Sequence, residues 1–230
     1  MPEDPVVRLE GVEKSYSMSG IDIEILRGVN LELGEGEVAS ILGSYGSGRT
    51  TLLSIIGLIT RPSSGRVFIC GKDTTRLSRG SIESLRTRKV GFLSRAFGLI
   101  PDLTVLENLE LAFQITGGEG IEERIGRALT DAGMEGGEYR MARSLSPLES
   151  RMLSISKNMG GEVSLLVCDD PAAGLSDKDS PKIARMLKKV NREMGISIIV
   201  GAPGRRTDFD IGTIIRIENG LAARESPDGT

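Results

Sequence analysis

The sequence predicts an α/β fold with an antiparallel β region at its N-terminal end and a helical segment inserted near its middle. Three observations point there. Residues 6–42 contain short runs in which apolar and polar residues alternate, as half-buried antiparallel strands do. A glycine-rich stretch at 43–50 lies between an apolar run and a helical one, giving strand, loop and helix in succession. From residue 101 to about 145, apolar positions recur at helical spacing with no strand signal.

The elements follow in order. Runs at 21–25 and 29–33 read as two short strands, and 37–42 as a strand entering the glycine-rich turn. Residues 50–56 read as the first turns of a buried helix. After a turn at 61–65 come a strand at 66–69, a helix at 81–88 and a short strand at 90–93. Val105, Leu106, Leu109, Leu111 and Ala112, then Ile121, Ile125 and Leu129, mark an inserted helical subdomain over about 101–158, within one domain spanning 1–230. A helix from 148, the apolar strand 165–168, a helix at 180–194, a strand at 196–200 and a terminal hairpin turning at Asn219-Gly220 restore α/β order.

Composition narrows the function classes. With 39% hydrophobic and 27% charged residues, the chain can bury a core. Its 29 basic and 32 acidic residues are scattered, so no basic stripe announces nucleic acid, and Arg76, Arg79, Arg86, Arg88 and Lys89 read as a solvated helix face. Cys70 and Cys168 lie in apolar stretches without a metal-binding companion and read as core. There is no histidine, which excludes a histidine general base or metal ligand. The longest apolar run, 52–59, falls short of the ~20 residues a membrane span needs. The N-terminal residues carry no apolar signal core, so the chain reads as soluble and cytoplasmic.

The chemistry concentrates in one motif. Gly43-Ser44-Tyr45-Gly46-Ser47-Gly48-Arg49-Thr50 fits G-x-x-x-x-G-K-[ST] except that arginine replaces lysine, and it sits between a strand and a helix as that motif requires. Glycines let the backbone curl so that its N–H groups point inward, and the helix N-terminus adds partial positive charge. Such a loop binds phosphate, although an ordinary Gly/Ser-rich turn carries a similar local composition. Downstream, Leu165-Leu166-Val167-Cys168-Asp169-Asp170 is an apolar strand ending in two carboxylates, which places an acid beside a magnesium ion at the loop. Each feature strengthens the other.

These residues resemble the ATP-binding domains of ABC transporters, most nearly the subfamily serving lipoprotein release and macrolide export. The segments 43–53, 58–72, 90–109 and 165–175 carry the resemblance in family order, over nearly the whole chain. It implies a P-loop NTPase core, and ATP and Mg2+ as cofactors. Gly43, Ser44, Tyr45, Gly46, Ser47, Gly48, Arg49, Thr50 and Thr51 would hold the phosphates, Tyr16 would stack on adenine, and Thr50 and Asp169 would ligate magnesium. Asp170 takes the place of the catalytic glutamate, and Tyr16 by itself reads equally well as core packing.

The departures cluster where the γ-phosphate would lie. Arg49 is a planar fork where the family carries a compact lysine. Arg95 puts a cation where the family has a glutamine facing the metal, and a cation there repels magnesium. Leu145-Ser146-Pro147-Leu148-Glu149 replaces the Leu-Ser-Gly-Gly-Gln signature that reaches across a dimer to the γ-phosphate. Pro147 lacks an N–H, Leu148 adds bulk, and Glu149 brings negative charge. Asp170 is one methylene shorter than glutamate, Ala202 stands where the family has histidine, and Ser176 where it has the inter-subunit aspartate.

The expectation is therefore ATP binding with weak or absent hydrolysis. By the same resemblance the chain would work as a homodimer, or as a heterodimer with another ABC ATPase domain. It would dock a membrane permease through the helical insert and 95–109, at the cytoplasmic face of the membrane. Two alternatives stand: a regulatory ATP-binding scaffold without transport, and an active ATPase in which Arg49 and Asp170 are working variants.

Overall fold

Alternating apolar and polar side chains build the first of two sheets. The computed structural model describes residues 4–94, 98–159, 161–204, 209 and 211–225. β1 (Val7–Met18) pairs antiparallel with β2 (Ile21–Leu33). The two strands expected at 21–25 and 29–33 are thus one. Register shifts against β1 absorb the broken alternation at Leu26-Arg27-Gly28, where Gly28 takes φ +79°. β3 (Val38–Gly43) then leaves this sheet, while β4 (Ser64–Ile69) and β5 (Lys72–Asp73) complete it in the order β2-β1-β4-β5.

β3 corrects the antiparallel reading of the whole 6–42 region. It runs parallel to β8 (Ser197–Pro203) and β9 (Thr213–Glu218), and β8 runs parallel to β7 (Leu165–Asp169), itself parallel to β6 (Val90–Leu93). With β10 (Leu221–Arg224) antiparallel at one edge, the six strands lie in the order β10-β9-β3-β8-β7-β6. A strand that feeds a loop and helix returns by crossover, which makes its neighbours parallel. The edge hairpin turns at Asn219 and Gly220, whose φ values of +49° and +79° suit a tight two-residue turn.

Both faces of this sheet are covered, so its central strands are mostly apolar, and buried Ser40 in β3 is satisfied by donating to the Ile211 carbonyl at 2.8 Å. In β7, Leu165 and Val167 face the core shared with the first sheet, and Leu166 and Cys168 face the opposite core. α1 (Arg49–Ile56) lies between the sheets and gives Leu52, Leu53, Ile55 and Ile56 to the first core. α6 (Ser180–Met194) closes the other face with Ile183, Leu187 and Val190. Burial pushes the Cys168 thiol up to about 12. Cys70 only partly fills the expected core role: it is half-buried in the turn between β4 and β5, at φ +48°. α2 (Arg79–Lys89) buries Leu85; of the expected solvated face, Arg76, Arg79 and Arg88 are exposed, whereas Arg86 and Lys89 are half-buried.

The insert is helical as expected. α3 (Val105–Thr116), α4 (Ile121–Ala132) and α5 (Pro147–Asn158) surround their own core of Val105, Leu109, Phe113, Ile125, Leu129 and Leu153. α5 joins this core to the sheet, because Leu153 points into the helical core and Ile155 into the core beneath α6. Buried Asn108 binds the incoming loop: its Oδ1 accepts from the Ile100 N–H at 2.7 Å, and its Nδ2 donates to the Ile100 and Thr104 carbonyls at 3.1 and 2.9 Å. Among the described residues, no helix is long and apolar enough to cross a membrane.

Phe113 is fully buried, whereas Leu111 on the same helix is 40% exposed. Phe113→Ala should lower unfolding free energy by about 3–5 kcal/mol. Leu111→Ala should change it by less than about 0.5 kcal/mol. Urea unfolding of the two variants checks the contrast.

Candidate functional site

The loop after β3 is shaped by glycines that a side chain would obstruct. Gly48, which caps α1, takes φ +98°, and a Cβ there would lie 2.9 Å from the Ile25 carbonyl oxygen and 3.0 Å from Leu26 Cδ2. A Cβ on Gly43 would lie 2.6 Å from Ile217 Cγ2. The loop is closed by the Ser47 N–H donating to the Ser44 carbonyl at 3.2 Å, and tethered by Gly220 N–H donating to the Ser47 carbonyl at 3.2 Å. No side chain caps α1, and its first turn holds no acidic residue, so its leading N–H groups and dipole face the loop unopposed by a carboxylate. Ser44, Tyr45, Gly46 and Thr50 are exposed, Thr51 is half-buried and Ser47 is buried. A cavity of about 500 Å3 borders the loop, lined by 42–47 with Gly204, Arg216, Glu218 and Asn219.

Arg49 does not extend outward. Its side chain is 11% exposed, and Nη1 donates to the Gly43 carbonyl at 2.6 Å, at the start of its own loop. Nε stands 3.8 Å from Asp169 Oδ1. The sheet register brings these groups together, since β8 separates β3 from β7 and pairs Gly201 with Asp169. Asp170 follows at φ +51°, its N–H donating to the Gly201 carbonyl at 2.8 Å and its carbonyl accepting from Ala173 N–H at 3.0 Å. Positive φ is uncommon outside glycine, though aspartate tolerates it.

Thr50 and Asp169, expected to hold magnesium, therefore share their site with a guanidinium. Among the described residues there is no group of three or more His, Cys, Asp or Glu side chains suited to an ion. An ion here would depend on one hydroxyl and on a carboxylate that already faces a cation. It is the Arg49 guanidinium beside Asp169, not the number of donors, that disfavours magnesium here.

The segment 146–149 is closed on itself at the N-terminus of α5. Glu149 N–H donates to Ser146 Oγ at 3.2 Å, and Ser146 N–H donates to Glu149 Oε2 at 2.7 Å, a reciprocal capping box with Pro147 in the first turn. Arg140 clamps the same carboxylate with both terminal nitrogens, at 2.7 and 3.3 Å. The Arg140 guanidinium, followed by the Ser146 N–H, holds the Glu149 carboxyl down at about 2. Glu149 is thus committed within its own chain. Ser-x-x-Glu is legible as a capping box in sequence, but Arg140 as its partner is not.

The other expected residues are dispersed. Tyr16 is 45% exposed, with the Lys14 ammonium 4.9 Å from its ring centre. It pairs with Ile23, two residues before the Ile25 that abuts Gly48, so β2 links it to the loop. Ser176 Oγ donates to the Asp179 carboxylate at 2.8 Å, and Ala202 is buried in β8. Arg95 lies outside the described residues. The structure gathers the 43–51 loop, Asp169 and Asp170 at the ends of β3 and β7, one strand apart, and leaves 146–149 in the helical subdomain. Gly201 went unnoticed in the sequence because a lone glycine in an apolar strand carries no phosphate-site signature.

Residues 26–173, well over half of the chain, match the family model described as ABC transporter. The chain is 31% identical over 227 residues to the lipoprotein-releasing system ATP-binding protein LolD of Ruegeria pomeroyi, covering 97% of this chain and 99% of that protein. It is 30% identical over 227 residues to the macrolide export ATP-binding/permease protein MacB of Syntrophobacter fumaroxidans, covering 96% of this chain but only 32% of that protein's length. In structure it is similar to a dimeric ATP-binding cassette in a post-hydrolysis state with ADP and phosphate bound, with a TM-score of 0.86 and 32% identity, covering 97% of this chain and all of that one.

The Glu149 clamp makes a pH prediction. Its carboxyl is lowered from 4.5 to about 2 on folding, so its stabilisation is complete above about pH 4.5 and is lost as pH falls towards 2. Wild type should therefore unfold at a higher temperature than Glu149→Gln at pH 6, and the gap should close between pH 4.5 and 2. Parallel melting curves across that range check it.

Proposed function

The chain belongs to the ABC transporter family, and from that premise we propose that it is an ATP-binding subunit that binds nucleotide but hydrolyses it weakly or not at all. The reading rests chiefly on the closed capping box at 146–149. In a head-to-tail dimer this segment would face the γ-phosphate held by the other subunit. Its donors are reduced: Ser146 N–H goes to Glu149, Glu149 N–H goes to Ser146 Oγ, and Pro147 has no N–H. A segment that offers few donors to a developing negative charge supplies little transition-state stabilisation, and loss of a single such donor typically costs about 100-fold or more in rate.

Binding draws on different groups. The α1 N-terminus and the loop amides carry the phosphates, with Tyr16 as the adenine platform. Asp170, one methylene short and held at φ +51°, is a poor base. Pairing with a second copy, or with an intact cassette as a heterodimer, leaves every composite site with at least one altered half. ATP then acts by shifting a population of closed dimers rather than by fuelling a fast cycle. The names of the relatives support coupling to a membrane permease at the cytoplasmic face, docked through the helical insert.

Calorimetric titration with ATP, with phosphate release followed over hours in the same preparation, tests the proposal. Heat of binding without release above the buffer rate is expected. Release that Asp170→Ala suppresses would establish an active ATPase with variant residues instead, and absence of binding would leave only an inherited fold.

A further inference from the structure

Arg49 is seated by a feature that the antiparallel and helical parts of the fold do not need. Gly201 lies inside β8, buried in the central sheet, where glycine weakens a strand and marks a close approach. Its φ is not positive, so the backbone does not demand glycine. The demand comes from neighbours: a Cβ at 201 would collide with Leu53 Cδ1, and would lie 3.3 Å from Arg49 Cδ and 3.4 Å from Asp169 Oδ1. The missing side chain leaves room first for Leu53 and also for the close approach of the Arg49 chain beside the carboxylate. Arg49, Gly201 and Asp169 form one fitted unit, with Gly43 O as the second anchor of the guanidinium.

We propose that Arg49 is the built-in counter-cation of this site, so that the chain takes the triphosphate of a nucleotide without magnesium. Guanidinium is charged at every accessible pH and presents five donors in a fixed fork. One donor is spent on Gly43 and one faces Asp169, and the other guanidinium N–H groups are the donors this proposal assigns to phosphate oxygens. A divalent ion approaching Asp169 meets this cation first, and displacing it would break the Gly43 bond. The inference rests on the reading of the chain as a nucleotide binder, and adds that the metal-free nucleotide is the form it selects.

Titration of the full chain with ATP in EDTA, and again with excess Mg2+, decides it. The two dissociation constants should agree within about threefold, and Arg49→Lys should bind at least about tenfold more weakly in EDTA than in Mg2+. Wild-type binding at least tenfold tighter with Mg2+ would overturn the proposal, as would an Arg49→Lys protein that remains indifferent to the metal. Binding in neither buffer would overturn the nucleotide reading itself. If the lysine variant melts below the assay temperature, the wild-type comparison alone decides.

Discussion

Burial of the central sheet on both faces is the constraint from which the rest of the molecule follows. β3, β8 and β7 are enclosed between α1 with the first sheet on one side and α6 on the other, so their side chains alternate between two apolar cores. Polar chemistry is thereby excluded from the strand interiors and confined to their ends. Gly43 ends β3 and Asp169 ends β7, and the intervening β8 sets their spacing. The phosphate loop and the paired carboxylates meet there because the apolar layers leave them no other place.

At that meeting point Arg49 donates to the Gly43 carbonyl and faces Asp169 at 3.8 Å, without a hydrogen bond at Nε. In the helical subdomain Glu149 is held by Ser146 and Arg140, and the Arg140 contact is charge-assisted, stronger than a neutral hydrogen bond and costly to leave half-made.

The helical subdomain has its own core, yet it is not independent of the sheet. α5 belongs to both, through Leu153 on one face and Ile155 on the other, and its N-terminus carries the 146–149 segment. α4 adds a link of its own through Asp131, paired with Lys189 of α6 at 2.9 Å. Asn108 adds a further tie by fixing the loop that enters α3.

The sequence by itself determined what periodicity and local chemistry encode. Helical spacing marked 101–145 as helical, glycine spacing marked 43–50 as a turn between a strand and a helix, and Asn219-Gly220 marked the final turn. Tertiary structure alone decided what depends on partners distant in the chain. β2 is continuous because bulges against β1 absorb its broken alternation. Arg49 turns inward to the Gly43 carbonyl and towards Asp169, more than a hundred residues later, with Gly201 of the intervening strand packed close against both. Local pattern reports a residue's own preferences, whereas the direction of a charged side chain is set by which opposite charge and which empty volume the folded sheet places next to it.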